Sequence, residues 1–249
     1  HNNEASTFFP DAKVVRQEYL GAASVLPGAV GEKFKGTSTQ YRVLRGGRTR
    51  VAGYDAYTVN FKPIDDLRFG YRVWSDVATG LVLKMQTVDA SGAVIEQSEF
   101  SELTLDVPVS TDGLLQDMKR VPAGYKVMRT KTTVAQLAHE GWVVRDLPEG
   151  FELVTCYKRD HAKSLSWLQC VFSDGMASAS IFLERYDAGR HRQEGQMAMG
   201  ATNTLVARSV DAQQNEWWAT VVGEVPAVTL RAILTAMERT PSKSNPTPR

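Results

Sequence analysis

The side chains that could catalyse a reaction are few and scattered along this chain of 249 residues. His139 precedes Glu140, but a zinc-binding helix needs a second histidine four positions further on, and the other histidines have no ligand-type partner nearby. Nucleophilic hydrolysis needs a serine or cysteine beside a base, yet no GxSxG motif occurs, and residues 173–175 (SDG) are typical of a turn. Neither a metal centre nor a catalytic nucleophile is predicted.

Phosphate binding and paired-acid chemistry are not indicated either. The glycine-rich phosphate cradles GxGxxG and GxxxxGK[ST] do not occur in the sequence. Asp65 and Asp66 are adjacent, but neighbouring residues of a strand project to opposite faces, so the two carboxylates cannot share a proton or a metal ion without a special bend. We therefore expect a protein that is not an enzyme and that needs no cofactor.

Charge and hydrophobicity narrow the class of protein further. The 29 basic and 28 acidic side chains leave a net charge of +1, so no overall field would hold the chain on nucleic acid or an anionic membrane. A hydrophobic content of 43% can supply one large core or two modest ones. No apolar run approaches the roughly 20 residues that span a bilayer. The start HNNEAS, without an initiator methionine or an apolar signal segment, indicates a mature product or a fragment.

The two cysteines, Cys156 and Cys170, lie in consecutive strand-like runs, GFELVTCYKR and SLSWLQCVFSD. A hairpin that turns near Lys163 would place them directly opposite each other. Cα atoms of a non-hydrogen-bonded antiparallel pair lie about 4.5 Å apart, which a disulfide accepts. Two buried free thiols are the alternative, and an oxidising compartment favours the bridge.

Four runs of alternating apolar and polar residues predict one extended antiparallel sheet. They cover residues 54–61, 67–76, 81–89 and 93–100, and the turns VATG and ASG between the last three end in glycine. In a suitable register, one apolar face includes Leu67, Phe69, Tyr71, Val73, Leu83 and Met85. The opposite face of the second run carries Arg68, Arg72 and Trp74.

The chain changes character at residues 107–133, which predict an interdomain linker with one short turn of helix because prolines, glycines and basic residues follow no sustained period. We therefore expect an N-terminal domain over residues 1–106 and a C-terminal domain over residues 134–240. Residues 241–249, which contain no apolar side chain, predict a disordered tail.

The C-terminal domain is predicted to hold a short helix, a second sheet and a closing helix. The short helix would begin at Thr132 or Thr133 and end at Gly141. The strand-like runs of the second sheet are GWVVRDL, GFELVTCYKR, LSWLQCVFSD, MASASIFLERY, NTLVARSV and EWWATVVGEV. The closing helix would begin at Pro226, stop before Pro241 and bury a stripe of four residues: Leu230, Ile233, Leu234 and Met237.

Trp217 and Trp218 are adjacent in the last strand-like run, so one indole should lie on each face of the sheet. One is assigned to the core and the other to an interface, because aromatic residues are enriched at interfaces. Core packing of both indoles is the alternative that the sequence leaves open.

Four blocks of the sequence, in the correct order, resemble the MucB/RseB family, which comprises periplasmic regulators of the envelope-stress sigma factor. The blocks are DDLRFGYRVWSDVATGLVLKMQTVDASGAVIEQSEF at 65–100, GWVVRDLPEGFELV at 141–154, VFSDGMASASIFLE at 171–184 and VVGEVPAVTLRAI at 221–233. The segments FFPDAK at 8–13 and RVLRGGRTRVAGYDAYTVNF at 42–61 also fit. Family members normally carry a signal peptide and a further stretch of helix and strands before the segment that corresponds to HNNEAS.

The resemblance implies a mainly β (α+β) fold of two domains. The N-terminal domain would be an antiparallel half-barrel similar to lipoprotein-carrier proteins, here N-terminally incomplete. The C-terminal domain would be a smaller antiparallel sheet with a packed C-terminal helix.

The resemblance also implies a negative regulator that acts in the periplasm by binding. Such proteins bind the periplasmic segment of a membrane-spanning anti-sigma factor of the MucA/RseA type, shield it from regulated proteolysis, and release it when lipopolysaccharide or a lipoprotein fragment binds. Shielding needs a complementary surface and a bistable element rather than a nucleophile. A periplasmic lipid or lipoprotein carrier is the alternative, although a carrier does not need the second domain. No nucleic-acid partner is expected, and formation of a homo-oligomer is left open.

This interpretation gives the two faces of residues 67–76 different roles. The apolar face would line an acyl-accepting concavity. Arg68, Arg72 and Trp74 would face outward or toward the second domain, where guanidinium groups suit carboxylates and phosphates. Trp217, Trp218 and the SDG turn are further candidates for contacts with the partner.

Overall fold

A computed structural model describes residues 4–19, 39–108, 110–130, 133–161 and 165–240 of the protein. Twelve of the seventeen strands in these ranges form a five-stranded and a seven-stranded antiparallel sheet, with two smaller sheets beside them. Over the described residues, neither large sheet closes into a barrel. The predicted mainly β fold class with a C-terminal helix is confirmed. The predicted tail at 241–249 lies outside the described residues.

The N-terminal sheet is an antiparallel meander in which each strand pairs with the next. Its strands are β3 (Tyr41–Val51), β4 (Tyr54–Pro63), β5 (Gly70–Asp76), β6 (Val82–Val88) and β7 (Val94–Glu99). The turns after β5 and β6 contain Gly80 and Gly92, whose φ angles of 75° and 86° suit glycine. Asp76 and Asp89 accept backbone N–H hydrogen bonds from these turns. The predicted meander is therefore present, with β3 as an additional strand before it.

A three-stranded sheet joins the start of the chain to the segment that was predicted as a linker. β1 (Glu4–Phe9) and β2 (Val14–Tyr19) form an antiparallel hairpin, and β8 (Lys126–Thr130) pairs with β2 in parallel. Helix α1 (Thr111–Lys119) precedes β8. The segment 107–133 was predicted as a linker with one short turn of helix; its helix, α1, has nine residues, and the strand β8 was not predicted. A five-residue strand shows too little alternation to be recognised, and its partner lies at the other end of the domain.

The C-terminal sheet has seven strands and is the larger of the two, whereas the family resemblance implied a smaller one. Its strands are β9 (Thr133–Val134), β11 (Glu152–His161), β12 (Leu165–Ser173), β13 (Ser178–Arg185), β14 (Gly195–Met199), β15 (Thr202–Val210) and β16 (Glu216–Gly223). Their order is β14-β15-β16-β13-β12-β11-β9, and all neighbours are antiparallel. β14, with the sequence GQMAM, was not predicted because it contains no β-branched or aromatic residue.

Helix α2 (Ala227–Ala236) packs its apolar side against the C-terminal sheet. Pro226 precedes its first residue, as predicted, and Leu230 and Ile233 are fully buried. The helix ends well before Pro241, which lies outside the described residues. It ends early because β17 (Met237–Arg239) is extended and pairs with β10 (Trp142–Val144). Met237 of the predicted stripe still packs in the same core.

The helix predicted between Thr133 and Gly141 does not form. The segment begins as β9 and continues in overlapping turns, in which Glu140 donates to the carbonyl of Leu137 and Gly141 to that of Ala138. Gly141 has a φ angle of 76°, which reverses the chain into β10. The capping and stop signals therefore mark a turn rather than a helix.

The core of the C-terminal domain surrounds a disulfide. Cys156 and Cys170 pair across β11 and β12 with Cα atoms 4.1 Å apart, and a disulfide joins them. Of the two alternatives left open by the sequence, the bridge is the one that the structure contains; the turn near Lys163 lies outside the described residues. A cluster of seventeen buried residues, with contributions from the sheet, α2 and β10, encloses the two cysteines.

Candidate functional site at the domain junction

The two domains meet at a buried ion pair. Arg68 lies in the bend between β4 and β5, and its guanidinium Nη1 donates to Asp174 Oδ2 at 2.8 Å. Both side chains have no exposed surface. Arg68 also donates from Nε to Asp65 Oδ1 at 3.1 Å and from Nη2 to the carbonyl oxygen of Glu149. We call Arg68 and Asp174 the junction ion pair.

Asp174 is held in position by the turn between β12 and β13. Its Oδ1 accepts hydrogen bonds from the N–H groups of Met176 at 2.8 Å and Ala177 at 2.7 Å, as aspartate commonly does in turns. Its Oδ2 remains for Arg68. The SDG motif is thus a turn, as predicted, and one oxygen of its carboxylate reaches the other domain. A buried charge pair needs such additional hydrogen bonds to offset its desolvation.

Aromatic rings enclose the guanidinium. The Arg68 Cζ atom lies 5.2 Å from the ring centroid of Phe151 and 6.0 Å from that of Tyr41. Tyr41 and Tyr71 pack with their centroids 6.1 Å apart, and burial raises the pKa of both phenols far above the ordinary value. The two tyrosines are therefore neutral at any physiological pH. The positive charge of Arg68 is balanced by the carboxylates of Asp174 and Asp65.

Three further contacts cross the junction. Thr229 of α2 donates from its hydroxyl to the carbonyl of Leu67, one residue before Arg68. Gly150 lies so close to Gln40 that a Cβ atom there would come within 2.9 Å of Gln40 Cδ. The N–H of Ala201, in the turn between β14 and β15, donates to Glu96 Oε2 of β7 at 3.0 Å. The C-terminal domain therefore contacts the N-terminal domain next to the start of β3, in the bend between β4 and β5, and at the edge strand β7.

A cleft of about 650 Å³ lies beside the junction ion pair, and we call it the β5 cleft. Its walls come from the end of β4, the start of β5, the turn after β6 and Pro226 of the second domain. Phe61, Phe69 and Tyr71 supply apolar surface, and Arg72 supplies a cation whose Nη2 donates to the carbonyl of Gly92 at 3.4 Å. Its charged lining has both signs, with Lys62, Arg68 and Arg72 beside Asp65, Asp66 and Asp89. The cleft can therefore accept an elongated apolar group, and Arg72 is the cation that lies nearest to the turn after β6.

A second cleft of about 450 Å³ lies along β6 and β7, and we call it the acidic cleft. It lies between β6, β7 and Glu224 of the second domain, and its carboxylates are those of Glu96, Glu99 and Glu224. Lys84 is the one cation among the lining residues, and it pairs with Glu99 at 2.9 Å. Burial raises the pKa of Glu224, and the nearby negative charge of Glu96 raises it further.

The predicted lipid-binding residues do not form one surface. Phe69 and Tyr71 line the β5 cleft, whereas Leu83 and Met85 line the acidic cleft, and Leu67 and Val73 line neither. Leu67 and Phe69 precede β5, which begins only at Gly70, so the assumed alternation does not extend to them, although Phe69 still lines the β5 cleft.

Leu83 also departs from the predicted face. A register shift lies between β5 and β6, where Lys84 pairs with Trp74 but Val82 pairs with Ser75. Leu83, the extra residue of this bulge, packs in a small core with Val51 and Ala56, which Trp74 also contacts. Leu83 and Met85 therefore do not share one face, although their spacing in the sequence predicts that they do.

The predicted partner-binding residues are likewise divided. Arg68 is buried in the junction and is not available to a partner. Arg72 lines the β5 cleft, and Trp74 is half-buried under the ammonium group of Lys84, 5.2 Å from the ring centroid. Arg68 and Arg72 both line the β5 cleft, but the side chain of Arg68 has no exposed surface and is paired with Asp174.

Trp217 and Trp218 are both buried, with 8% and 7% of their surface exposed, so core packing applies to each. Trp217 donates from its indole N–H to Asp211 Oδ2 at 2.9 Å, and Trp218 stacks on His191 with ring centroids 4.7 Å apart. Burial opposes ionisation of Asp211, but hydrogen bonds from Trp217 and Asn215 outweigh it and lower the pKa to about 2. Of the two alternatives left open by the sequence, core packing of both indoles is the one that the structure contains, and the assignment of one indole to an exposed interface is wrong.

The described residues contain no group of three or more histidine, cysteine, aspartate or glutamate side chains that could hold a metal ion. Within the same ranges, none of the helices is long and apolar enough to cross a membrane. The geometry is that of two domains with clefts at their contact.

Comparison with known families agrees with this geometry. The model of the MucB/RseB N-terminal domain matches residues 1–118, and that of the MucB/RseB C-terminal domain matches residues 136–238. The chain belongs to the MucB/RseB family. β8 lies between the two matched ranges. In the junction ion pair, Arg68 belongs to the first range and Asp174 to the second.

Two curated relatives show how much of the family's length is present. Sigma-E factor regulatory protein RseB of Haemophilus influenzae is 25% identical over 233 residues, which is 94% of this chain and 70% of that protein. Sigma factor AlgU regulatory protein MucB of Pseudomonas aeruginosa is 28% identical over 188 residues, which is 75% of this chain and 57% of that protein.

Solved structures of the family have the same fold. The crystal structure of MucB in complex with MucA(peri) superposes with a TM-score of 0.67 at 25% identity and covers 84% of this chain and 71% of that chain. The complex of Pseudomonas aeruginosa MucA/MucB also gives a TM-score of 0.67, at 23% identity, and covers 89% of this chain and 74% of that chain.

The junction ion pair was not predicted from the sequence. Arg68 and Asp174 are 106 residues apart, and each lies in a block that resembles the family, but no local pattern links them. In the sequence, Arg68 resembles a surface arginine beside a strand, and Asp174 resembles a surface aspartate in a turn. Only the contact between the domains shows that both are buried.

Proposed function

We propose that this protein is a periplasmic regulator that binds the periplasmic segment of a transmembrane anti-sigma factor and thereby shields it from regulated proteolysis. The observation that carries the proposal is the likeness, at 25% identity over most of the chain, to a MucB that was crystallised with MucA(peri). The names of the curated relatives, regulators of the sigma-E and AlgU factors, support a role in the same control system. The protein would thus regulate the sigma factor negatively and without chemistry of its own.

Lipid is proposed as the signal that releases the anti-sigma factor. The β5 cleft has apolar walls at Phe61 and Phe69 and cations at Lys62 and Arg72, beside the carboxylates of Asp65, Asp66 and Asp89. The apolar walls suit an acyl chain, and the two cations suit an anionic group attached to it. Lipopolysaccharide carries both acyl chains and phosphates, whereas a lipoprotein fragment shares only the acyl chains.

The position of the β5 cleft links lipid binding to the arrangement of the domains. Phe69 follows Arg68 directly, and Leu67, which precedes it, accepts the hydrogen bond from Thr229. A lipid that displaces Phe69 would therefore strain the contacts that join the domains. It could shift the equilibrium only by as much as its affinities for the two arrangements differ.

The test is a calorimetric titration of the full chain with the periplasmic segment of the anti-sigma factor from the same genome, repeated in the presence of lipopolysaccharide. Micromolar or tighter binding that lipid weakens is expected, because two ligands that favour different states oppose each other reciprocally. Binding that lipid does not change would remove the sensing role and keep the shielding role. A folded chain that binds lipid but not the segment would favour a lipid carrier instead.

The lipid site is tested by Phe69→Asp, which places a charge on the apolar wall of the β5 cleft. We expect loss of lipopolysaccharide binding with the affinity for the anti-sigma segment retained. Val77→Asp, in the exposed turn between β5 and β6 and outside the cleft, is the matched control. Tyr71 is unsuitable for this test because it is 2% exposed, so a charge there would disrupt the junction. Unchanged lipid binding by folded Phe69→Asp would contradict the site.

A further inference from the structure

The four outer edges of the two large sheets differ in how they are protected against another strand. β3 carries four arginines and a bulge, β7 carries Glu96 and Glu99, and β9 is only two residues long. β14, with the sequence GQMAM, has no charge, no proline and five regularly paired residues. Charges, bulges and short length are the usual means by which proteins prevent strand addition. Among these edges, β14 is the one that lacks them.

The backbone of β14 is available on its outer side. β14 and β15 are joined by the two-residue turn Gly200-Ala201, and Met199 pairs with Thr202 next to it. Hydrogen-bonded and non-hydrogen-bonded pairs alternate from this point in an antiparallel ladder, so Gln196 and Ala198 direct their N–H and C=O groups away from β15. No other strand of the described residues pairs with that side.

The side chains of β14 differ between its two faces. Met197 and Met199 lie on the face opposite α2, and 68% and 78% of their surface is exposed. On the other face, Gln196 accepts a hydrogen bond from Arg231 of α2, which holds the strand in place. Methionine adapts its shape to different apolar partners and is common at peptide-binding surfaces. The strand therefore offers a fixed backbone and adaptable apolar contacts.

Negative charge lies at one end of this edge. The turn at Gly200 is so close to β7 that a Cβ atom on Gly200 would come within 2.8 Å of Glu96 Oε2. Glu224 stands near Glu96, and neither carboxylate has a cation partner among the described residues. A positive side chain at this point would relieve the repulsion between them.

We propose that β14 accepts an extended peptide as an eighth strand, with apolar side chains over Met197 and Met199 and a lysine or arginine against Glu96 and Glu224. The proposal rests on the proposed function, because the peptide is a stretch of the periplasmic segment of the anti-sigma factor. Backbone hydrogen bonds supply the affinity in this mode of binding, and the alternating side chains supply the specificity.

A second copy of the chain fits the edge less well. If two β14 strands paired antiparallel around Met197, Glu194 of one copy would lie opposite Gly200 of the other, beside Glu96. Like charges placed there repel each other, and the repulsion adds to that between Glu96 and Glu224. A basic peptide has no such conflict.

The decisive variant is Ala198→Pro, which removes an outward N–H group while leaving the pairing with β15 intact. We expect the affinity for the anti-sigma segment to fall about tenfold or more, since a backbone hydrogen bond is lost and the ring obstructs the added strand. Ala198→Val, which keeps the N–H group, is the matched control and should bind like the wild type. Glu224→Gln should weaken binding about threefold and reduce its dependence on salt.

Hydrogen exchange provides an independent measurement on the full chain. Addition of the segment should protect the amides of Gln196 and Ala198 in the wild type and in Ala198→Val. Equal affinity of the wild type and Ala198→Pro, without protection of these amides, would overturn the edge site and leave the proposed function standing. Failure of the folded wild type to bind the segment would overturn both. A wild-type dimer in sedimentation that Ala198→Pro dissociates would overturn the peptide in favour of a second copy.

Discussion

The two large sheets are stabilised in different ways. The C-terminal sheet packs seventeen buried residues into one cluster beneath α2, whereas the main cluster of the N-terminal sheet contains three, Val51, Ala56 and Leu83. Apolar burial stabilises a fold by about 25 cal/mol per Å², so the described part of the N-terminal sheet gains less from its own core. It is instead held by polar contacts to the other domain. Its stability is therefore coupled to the contacts between the domains.

Among the variants that test this difference between the sheets, Arg68→Ala should lower the free energy of unfolding most. The substitution leaves Asp174 buried without its partner, and breaking such a pair costs about 3–5 kcal/mol. Hydrogen exchange should accelerate at the amides of β5 and β6 and remain slow in β12 and β13, because the C-terminal core does not depend on Arg68. Chemical unfolding followed by tryptophan fluorescence gives the total loss.

Arg72→Ala is the matched control for Arg68→Ala, because Arg72 lies four residues further on, in β5, and makes only a long hydrogen bond to Gly92. It should change the free energy of unfolding by less than about 1 kcal/mol. The double variant Arg68→Ala/Asp174→Ala should lose less than the sum of the two single variants, since it removes both buried charges. Additive losses would mean that the two residues do not stabilise the junction as a pair.

Removal of the disulfide should destabilise the C-terminal sheet rather than the N-terminal one. A bridge between Cys156 and Cys170 closes a loop of about 15 residues and stabilises the fold by about 3 kcal/mol on the chain-entropy model. The variant Cys156→Ala/Cys170→Ala should therefore unfold at a lower denaturant concentration, with exchange accelerated in β11 and β12 and unchanged in β5. Accelerated exchange in both sheets would show that the two regions unfold as one unit.

The smallest expected effect is a gain from Glu224→Gln. Because the pKa of Glu224 is raised by burial and by Glu96, the folded state binds a proton more tightly than the unfolded state. Stability of the wild type should therefore fall as the pH rises from 4.5, the ordinary value, through the raised pKa. At neutral pH the variant should be more stable by about 0.5 kcal/mol, since the group is half exposed and screened.

A pH series distinguishes this charge effect from a change in packing. The unfolding midpoints of the wild type and Glu224→Gln should converge below pH 4.5, where Glu224 is protonated in both states. A difference that persists at low pH would assign the effect to the shape of the amide. Glu99→Gln, whose carboxylate is paired with Lys84, should show no gain at neutral pH and serves as the control.

The candidate site was predictable only where it depended on neighbours in the sequence. The turn at 173–175 was predicted correctly from its residue types. Phe69 and Tyr71 line the β5 cleft, and their role in an acyl-accepting concavity stays a prediction. The burial of Arg68 was not predicted, because its three hydrogen-bond partners include Asp174 and Glu149 of the other domain. Leu83 was assigned to the wrong face because a bulge changes the alternation, and no residue type marks that bulge.

The sequence by itself determined the elements that follow a regular period. The meander from β4 to β7, the opposition of Cys156 and Cys170 and the buried stripe of α2 all follow from the geometry of one strand pair or one helix, which repeats every two or every 3.6 residues. Only the tertiary structure decided which charged groups are buried, where the sheets end and which edge stays open. These properties depend on contacts between residues far apart in the chain, such as Arg68 with Asp174 and Ala201 with Glu96, and no local period encodes them.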